Sequence, residues 1–271
     1  MLKILIYSFI LAVTIHATVL EDKVQSIVGN QNFQTHKGLI EFLLKDESKF
    51  IRNDKIEYLK LFEVLQQNGL LNLRLNNPTD IKIEFKMVSK NIKAYKILND
   101  TLQSLGIRYF FTNRMTQNTQ NELLWNIVFK AEYMLDPVVF IKELRLNNCR
   151  VNDLVIKDAY NWYYEIEFDN SRLNKAIKIE KNEKVRFQKP LRAFFLQVDD
   201  IKQLQVISRN LNNWYPHIVF FDKDLQVLGV IKKDREYKGI KTKVPVGTRY
   251  VKVTDLYNLI NIKRGLTIIV R

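Results

Sequence analysis

The sequence predicts an α+β chain in three successive parts: a helical hairpin, a β-α-β-β-α-β module and an all-β sandwich. Three observations carry this expectation. Apolar residues recur at helical spacing between Lys37 and Gly69. From Pro78 to Asp169 they alternate with period two, interrupted by amphipathic helical stretches. From Ser171 onward they fall into short alternating runs separated by turn residues.

The first part rests on "KGLIEFLLKDESKFI", which places Leu39, Ile40, Leu43, Leu44 and Phe50 along one stripe. In "NDKIEYLKLFEVLQQNG", Asn53 is the expected N-cap and Gly69 the expected C-terminal glycine. The apolar stripe of this hairpin needs a surface to dock on, and the following domain supplies it.

The middle part opens with the alternating strand "DIKIEFKMV". An amphipathic helix, "NIKAYKILNDTLQSLG", turns Ile92, Tyr95, Leu98, Leu102 and Leu105 inward. "IRYFFTNR" and "ELLWNIVFKAEYML" form a hairpin, Asp136 and Pro137 start a second helix, and "VIKDAYNWYYEIEF" ends as a strand. That order is the ferredoxin-like split βαβ arrangement. The last part contains "AIKIEK", "RAFFLQV", "LQVISR", "HIVFFD", "QVLGVIKK", "IKTKVPV", "RYVKVTD" and "LTIIVR", the pattern of a sandwich.

The first residues carry a targeting signal. Lys3 precedes an apolar run from Ile4 to Ile15, and the small residue Ala17 follows. This is the layout of a secretory signal peptide cleaved after Ala17. The run is shorter than the roughly 20 residues of a membrane span. The expected organisation is therefore a signal at 1–17, a helical region at 18–77, a ferredoxin-like domain at 78–170 and a β-sandwich at 171–271, with a periplasmic destination and no transmembrane segment after cleavage. An uncleaved signal would act as a marginal anchor. The single Cys149 forbids an internal disulfide and reads as a small buried hydrophobe.

The net charge is +14, and the basic excess is greatest in "KKDREYKGIKTK", "RYVKV" and "IKRG". Export argues against nucleic acid as the partner. Phospholipid headgroups, lipopolysaccharide and peptidoglycan carboxylates remain as acidic surfaces for a basic face.

Catalytic chemistry finds little support. Beyond His16 the histidines are His36 and His217, which with one cysteine cannot form a zinc site of the usual spacing. The sequence has no nucleophile elbow, zinc-protease helix, P-loop or dinucleotide fingerprint. No cofactor and no metal is expected. Asp222 and Asp224 in "DKDL" read as a hairpin tip. Glu165 and Glu167 share a strand face and read as solvated. The candidate contact residues are aromatic and basic: Trp214, Tyr215 and His217 in "NNWYPH", Tyr237 in "REYKG", and Lys241. Such residues hold a sugar face or an apolar patch of a partner. The alternative for Trp214 is a cap on the open end of the sandwich.

Two resemblances add to this. "IVFFDKDLQVLGV" with "VPVGTRYVKVTD" resembles galactose-binding-type jelly-roll modules through Pro245, Gly247, Tyr250 and Val253. Leu225 stands where those modules usually have Gly or Asn. The resemblance implies a fold and leaves the ligand open. "QQNGLLNLRL", "LNDTLQSLGIRYF" and "NNCRVNDL" are similar to uncharacterised periplasmic proteins of the Campylobacter–Helicobacter group, which implies secretion.

The leading expectation is an exported, non-enzymatic envelope assembly or scaffold component working through contacts with an envelope protein partner. The alternative is a glycan- or anionic-polymer-binding envelope protein using the basic sandwich. An envelope hydrolase with unrecognised carboxylates ranks third.

Overall fold

A computed structural model describes residues 19–88, 92–120 and 122–271. The signal expected at 1–17 lies outside the described residues. No helix among those described is long and apolar enough to cross a membrane. The chain mixes helices with several β-sheets and is α+β, with a β-rich sandwich at its C-terminal end. It divides into two units, one running to Arg172 and one from Leu173 to Arg271, with residues 92–93 grouped with the second.

The first unit begins with four helical segments: α1 (19–28), α2 (Asn30–Thr35), α3 (Lys37–Leu44) and α4 (Tyr58–Gln67). The expected N-cap at Asn53 is corrected. Asn53 and Asp54 hold φ of 51° and 57° and form the turn between two short strands, β1 (Ile51–Arg52) and β2 (Lys55–Ile56). A two-residue turn of this type needs positive φ at both positions, and Asn and Asp reach it most readily among non-glycine residues. Helix α4 starts after Glu57 instead. It buries Tyr58, Leu59, Leu61, Phe62 and Leu65, and Gly69 follows it at φ 69°.

The sheet of this unit contains β3 (Arg74–Val88), β4 (Phe111–Gln117), β5 (Leu123–Tyr133), β6 (Arg150–Asp158) and β7 (Asn161–Glu167). Its helices are α5 (Ile92–Ser104) and α6 (Pro137–Leu146). Asp136 caps α6 by accepting hydrogen bonds from the Val138 and Val139 amides, with Pro137 in the first turn. The strand order is β4-β5-β3-β7-β6. A ferredoxin-like module would lay the strand after α6 antiparallel against β3. Here that strand, β6, is at the edge, and its hairpin partner β7 runs parallel to β3. Strand β6 carries no period-two signature in the sequence, because register shifts after Val151 and after Ile156 break its alternation. Within α5 the buried stripe is Ala94, Ile97, Leu98 and Leu102, while Ile92 is exposed.

The N-terminal helices are tied to the β6 edge through one carboxylate. Asp153 accepts hydrogen bonds from Lys23 Nζ of α1 and Tyr58 OH of α4, both at 2.6 Å, and from the Leu154 amide. Burial by itself raises the Asp153 pKa. The hydrogen bonds from Lys23 and Tyr58 together outweigh it and hold the carboxyl below its usual range. Burial, then the contact with Asp153, pushes the Tyr58 phenol up. Asp153→Ala leaves Lys23 and Tyr58 without their shared acceptor and is expected to cost about 2 kcal/mol, the site being only partly buried. A group with a depressed folded pKa contributes fully above its unfolded value of about 3.9, and the contribution fades as pH falls through the folded value. The gap in urea stability between wild type and variant should therefore be open at pH 7 and narrow steadily in acid.

The second unit is a β-sandwich. One sheet has the order β13-β12-β15-β10-β8, from β8 (Ile177–Lys178), β10 (Phe194–Gln197), β12 (Pro216–Phe221), β13 (Val227–Lys232) and β15 (Tyr250–Asp255). The other has the order β14-β11-β16-β9, from β9 (Lys184–Arg186), β11 (Gln203–Ser208), β14 (Gly239–Lys243) and β16 (Leu266–Val270). Between them lies a core that includes Trp214, Leu196, Phe220, Val206, Val251 and Ile268. Gly265, at φ 85°, turns the chain into β16 so close to β9 that an added Cβ would sit 1.9 Å from the Phe187 carbonyl oxygen.

Candidate functional site

The five candidate contact residues fall in three places. Trp214 is not a surface residue: it is fully buried in the sandwich core, and its indole N–H donates to the Thr254 carbonyl at 3.0 Å. The expectation that Trp214 presents a face to sugar is corrected. An indole that finds one backbone acceptor inside a core needs no solvent-facing role. Tyr215 is half-buried in the same loop, its amide held by Asp255 Oδ2 at 2.7 Å, and it packs edge-on against the exposed Tyr257. Tyr237 leans on the core with Arg235 over its ring, and its amide donates to the Trp214 carbonyl.

His217 projects from the five-stranded sheet between Lys232 and Thr254. Burial, then Lys252 and Lys232, lowers its pKa, so it is neutral at neutral pH. Lys241 lies on the other sheet, and it leads to the most coherent chemical feature of the unit.

Alternation in the four-stranded sheet turns Leu204, Val206, Ile268 and Val270 into the core. The opposite face is therefore built from their neighbours. Strand pairing places Lys241, Gln205, Ile269 and Lys184 in one row across the sheet. Gly239, Ile207, Thr267 and Arg186 form the next row. Lys243 stands opposite Gln203, which exchanges two backbone hydrogen bonds with Arg271 on its other side. Five basic residues, Lys184, Arg186, Lys241, Lys243 and Arg271, thus share one exposed face. The four strands contain no Asp or Glu. None of the five basic side chains is among the ion pairs of the described residues. Strand spacing makes the face about 14 Å wide, with successive basic residues along β9 or β14 about 7 Å apart. The glutamines between them offer amide donors and acceptors. Of this set only Lys241 is among the candidates expected from the sequence, because the five become neighbours through pairing of strands distant in the chain.

The acidic candidates have partners of their own. An open cleft of 880 Å³ is lined in part by Asp199, Asp200 and Asp222 together with Gln203 and Lys243, so acidic residues border one end of the basic face. Asp199 pairs with Arg249 at 2.6 Å, and that hydrogen bond holds its carboxyl below the usual range. Asp222 Oδ1 accepts the amides of Asp224 and Gln226, the turn geometry expected of "DKDL". Leu225 completes that turn at φ 65°, the left-handed conformation that Gly or Asn adopts more easily. Glu165 is within 3.1 Å of Lys86, and Glu167 is 3.9 Å from Lys55. Asp199, Asp222, Glu165 and Glu167 thus each have a hydrogen-bond or ion-pair partner. Cys149 is buried. Among the described residues no group of three or more His, Cys, Asp or Glu is placed to hold a metal ion.

No protein-family model and no curated protein matches the sequence. Among solved structures, the pre-peptidase C-terminal domain of collagenase from Bacillus anthracis is similar at 10% identity, covering 36% of this chain and 95% of that domain with a TM-score of 0.27. PliG of Aeromonas hydrophila, a periplasmic inhibitor of g-type lysozyme, is similar at 11% identity, covering 36% of this chain and 98% of its own with a TM-score of 0.20. At these scores neither likeness carries a functional argument.

Proposed function

We propose that the protein is an exported, non-enzymatic binding protein of the periplasm that holds an anionic envelope polymer on the outer face of its four-stranded sheet. The observation that carries this is the row structure of that face: five basic side chains and no acidic residue on four adjacent strands. Unneutralised like charges repel one another and raise the free energy of the isolated protein. An anionic chain laid across them removes that cost and releases bound counterions. The jelly-roll-like character of the sandwich belongs to the same reading, supported by consecutive strands β9 to β12 falling alternately in the two sheets.

The test is co-sedimentation with purified cell-wall sacculi and, separately, with lipopolysaccharide across a salt series. For a densely charged polymer that engages all five residues, the log–log salt slope should be about −3.5 to −4.5. Binding unaffected by salt would contradict the proposal.

A scaffolding role through protein contacts is the second reading. It is favoured by Tyr109 and Phe111, which are 92% and 81% exposed at the open edge of the first unit's sheet.

A further inference from the structure

The two edges of the first unit's sheet are treated differently. Strand β6 is covered, since Asp153 on it receives Lys23 and Tyr58 from the N-terminal helices. Strand β4 forms the other edge and stops short of its neighbour. Its pairing with β5 runs from Gln117↔Leu123 to Phe111↔Val128 and ends there. Strand β5 continues to Tyr133, paired only on its β3 side. Residues 129–133 therefore carry a free backbone edge, on which about two or three residues direct their N–H and C=O groups outward. An exposed edge of this kind is a template for another strand.

The space beside that edge is shaped. The segment between α5 and β4 contributes Ile107, Arg108 and Tyr109 to its lining. Phe129 and Tyr133 of β5 and Val139 of α6 also line this open groove of 480 Å³. Its apolar walls suit alternate side chains of an added strand. The charged residues of its lining are Arg108 and Lys130, exposed and in none of the ion pairs of the described residues, and Asp136, which accepts from the α6 amides and Gln66; Glu132 lies on the same strand outside the lining.

We infer that this groove binds an extended segment of a partner protein by strand addition to residues 129–133, with apolar residues at alternate positions and at least one acidic residue. A second copy of this chain, paired antiparallel about Ala131, would set Lys130 opposite Glu132, and a dimer that protects residues 129–133 without any peptide would overturn the inference. The inference rests on the scaffolding reading and names the partner's form.

The experiment is selection of a random displayed-peptide library on the purified chain, followed by binding measurements on the enriched peptides. The expected peptides alternate apolar residues and carry Asp or Glu. The surface variant Arg108→Glu/Lys130→Glu should bind them at least about tenfold more weakly. N-methylation of a bonding-edge amide in the peptide should abolish binding, while methylation on the opposite edge should not. Amide exchange of residues 129–133 should slow in the complex. No enrichment, equal binding to the double variant, or protection confined to other strands would overturn the inference. An envelope protein captured by cross-linking without any enriched peptide would leave the scaffolding reading standing and sink the groove. Enriched peptides that protect 129–133 in a chain that cross-links to no envelope protein would support the groove and count against scaffolding.

Discussion

Trp214→Ala is expected to destabilise the sandwich by about 3–5 kcal/mol. The side chain is fully buried among strands of both sheets, and its loss leaves a cavity beneath the loop that carries Tyr215. It also leaves the Thr254 carbonyl without its indole donor. Trp214→Phe separates the two terms, since it keeps most of the volume but not the hydrogen bond, and should cost about 1–2 kcal/mol. Urea unfolding reads both. Polymer binding measured well below the melting transition should be unchanged in Trp214→Phe. Normal stability together with lost binding would restore Trp214 as a ligand contact and contradict the structural assignment.

The second large effect concerns the basic face. A basic residue beside an anionic surface contributes about 1 kcal/mol at moderate ionic strength. Replacing Lys184, Arg186, Lys241, Lys243 and Arg271 together by Gln should therefore weaken polymer binding at least about a hundredfold. These side chains are exposed and in no ion pair of the described residues, so stability should be unchanged or slightly higher once their mutual repulsion is gone. A variant with the same net charge, made by replacing Lys37, Lys45, Lys49, Lys60 and Lys142 of the first unit, should lose far less. Equal losses in the two variants would mean that only total charge matters and that the face has no special role.

How much of this was legible in the sequence depended on how local each feature is. The α6 start was readable because Asp136 and Pro137 act on their own turn. The "DKDL" hairpin tip was readable for the same reason. Asn53 was misread because the residue types that cap helices also supply positive φ in two-residue turns, and only the pairing of Ile51 with Ile56 distinguishes them. Strand β6 was hidden by its bulges, and with it the parallel placement of β7 beside β3. The aromatic cluster "NNWYPH" was visible as composition, but burial divides it: Trp214 goes inward while Tyr215 stays half-exposed beside Tyr257, a neighbour that sequence gives no reason to choose. The basic face was visible only as an excess of Lys and Arg in the last part of the chain. Its rows are made by β9, β11, β14 and β16, whose order in space cannot be read from their order in the chain.

The most direct measurement of the central claim is residue-resolved mapping by NMR of the chain titrated with a soluble anionic envelope polymer such as solubilised lipopolysaccharide. Shift changes should concentrate on Lys184, Arg186, Gln203, Gln205, Lys241 and Lys243, and added salt should reverse them together. Changes centred on the outer face of the five-stranded sheet around His217, or scattered over lysines of both units, would contradict the account.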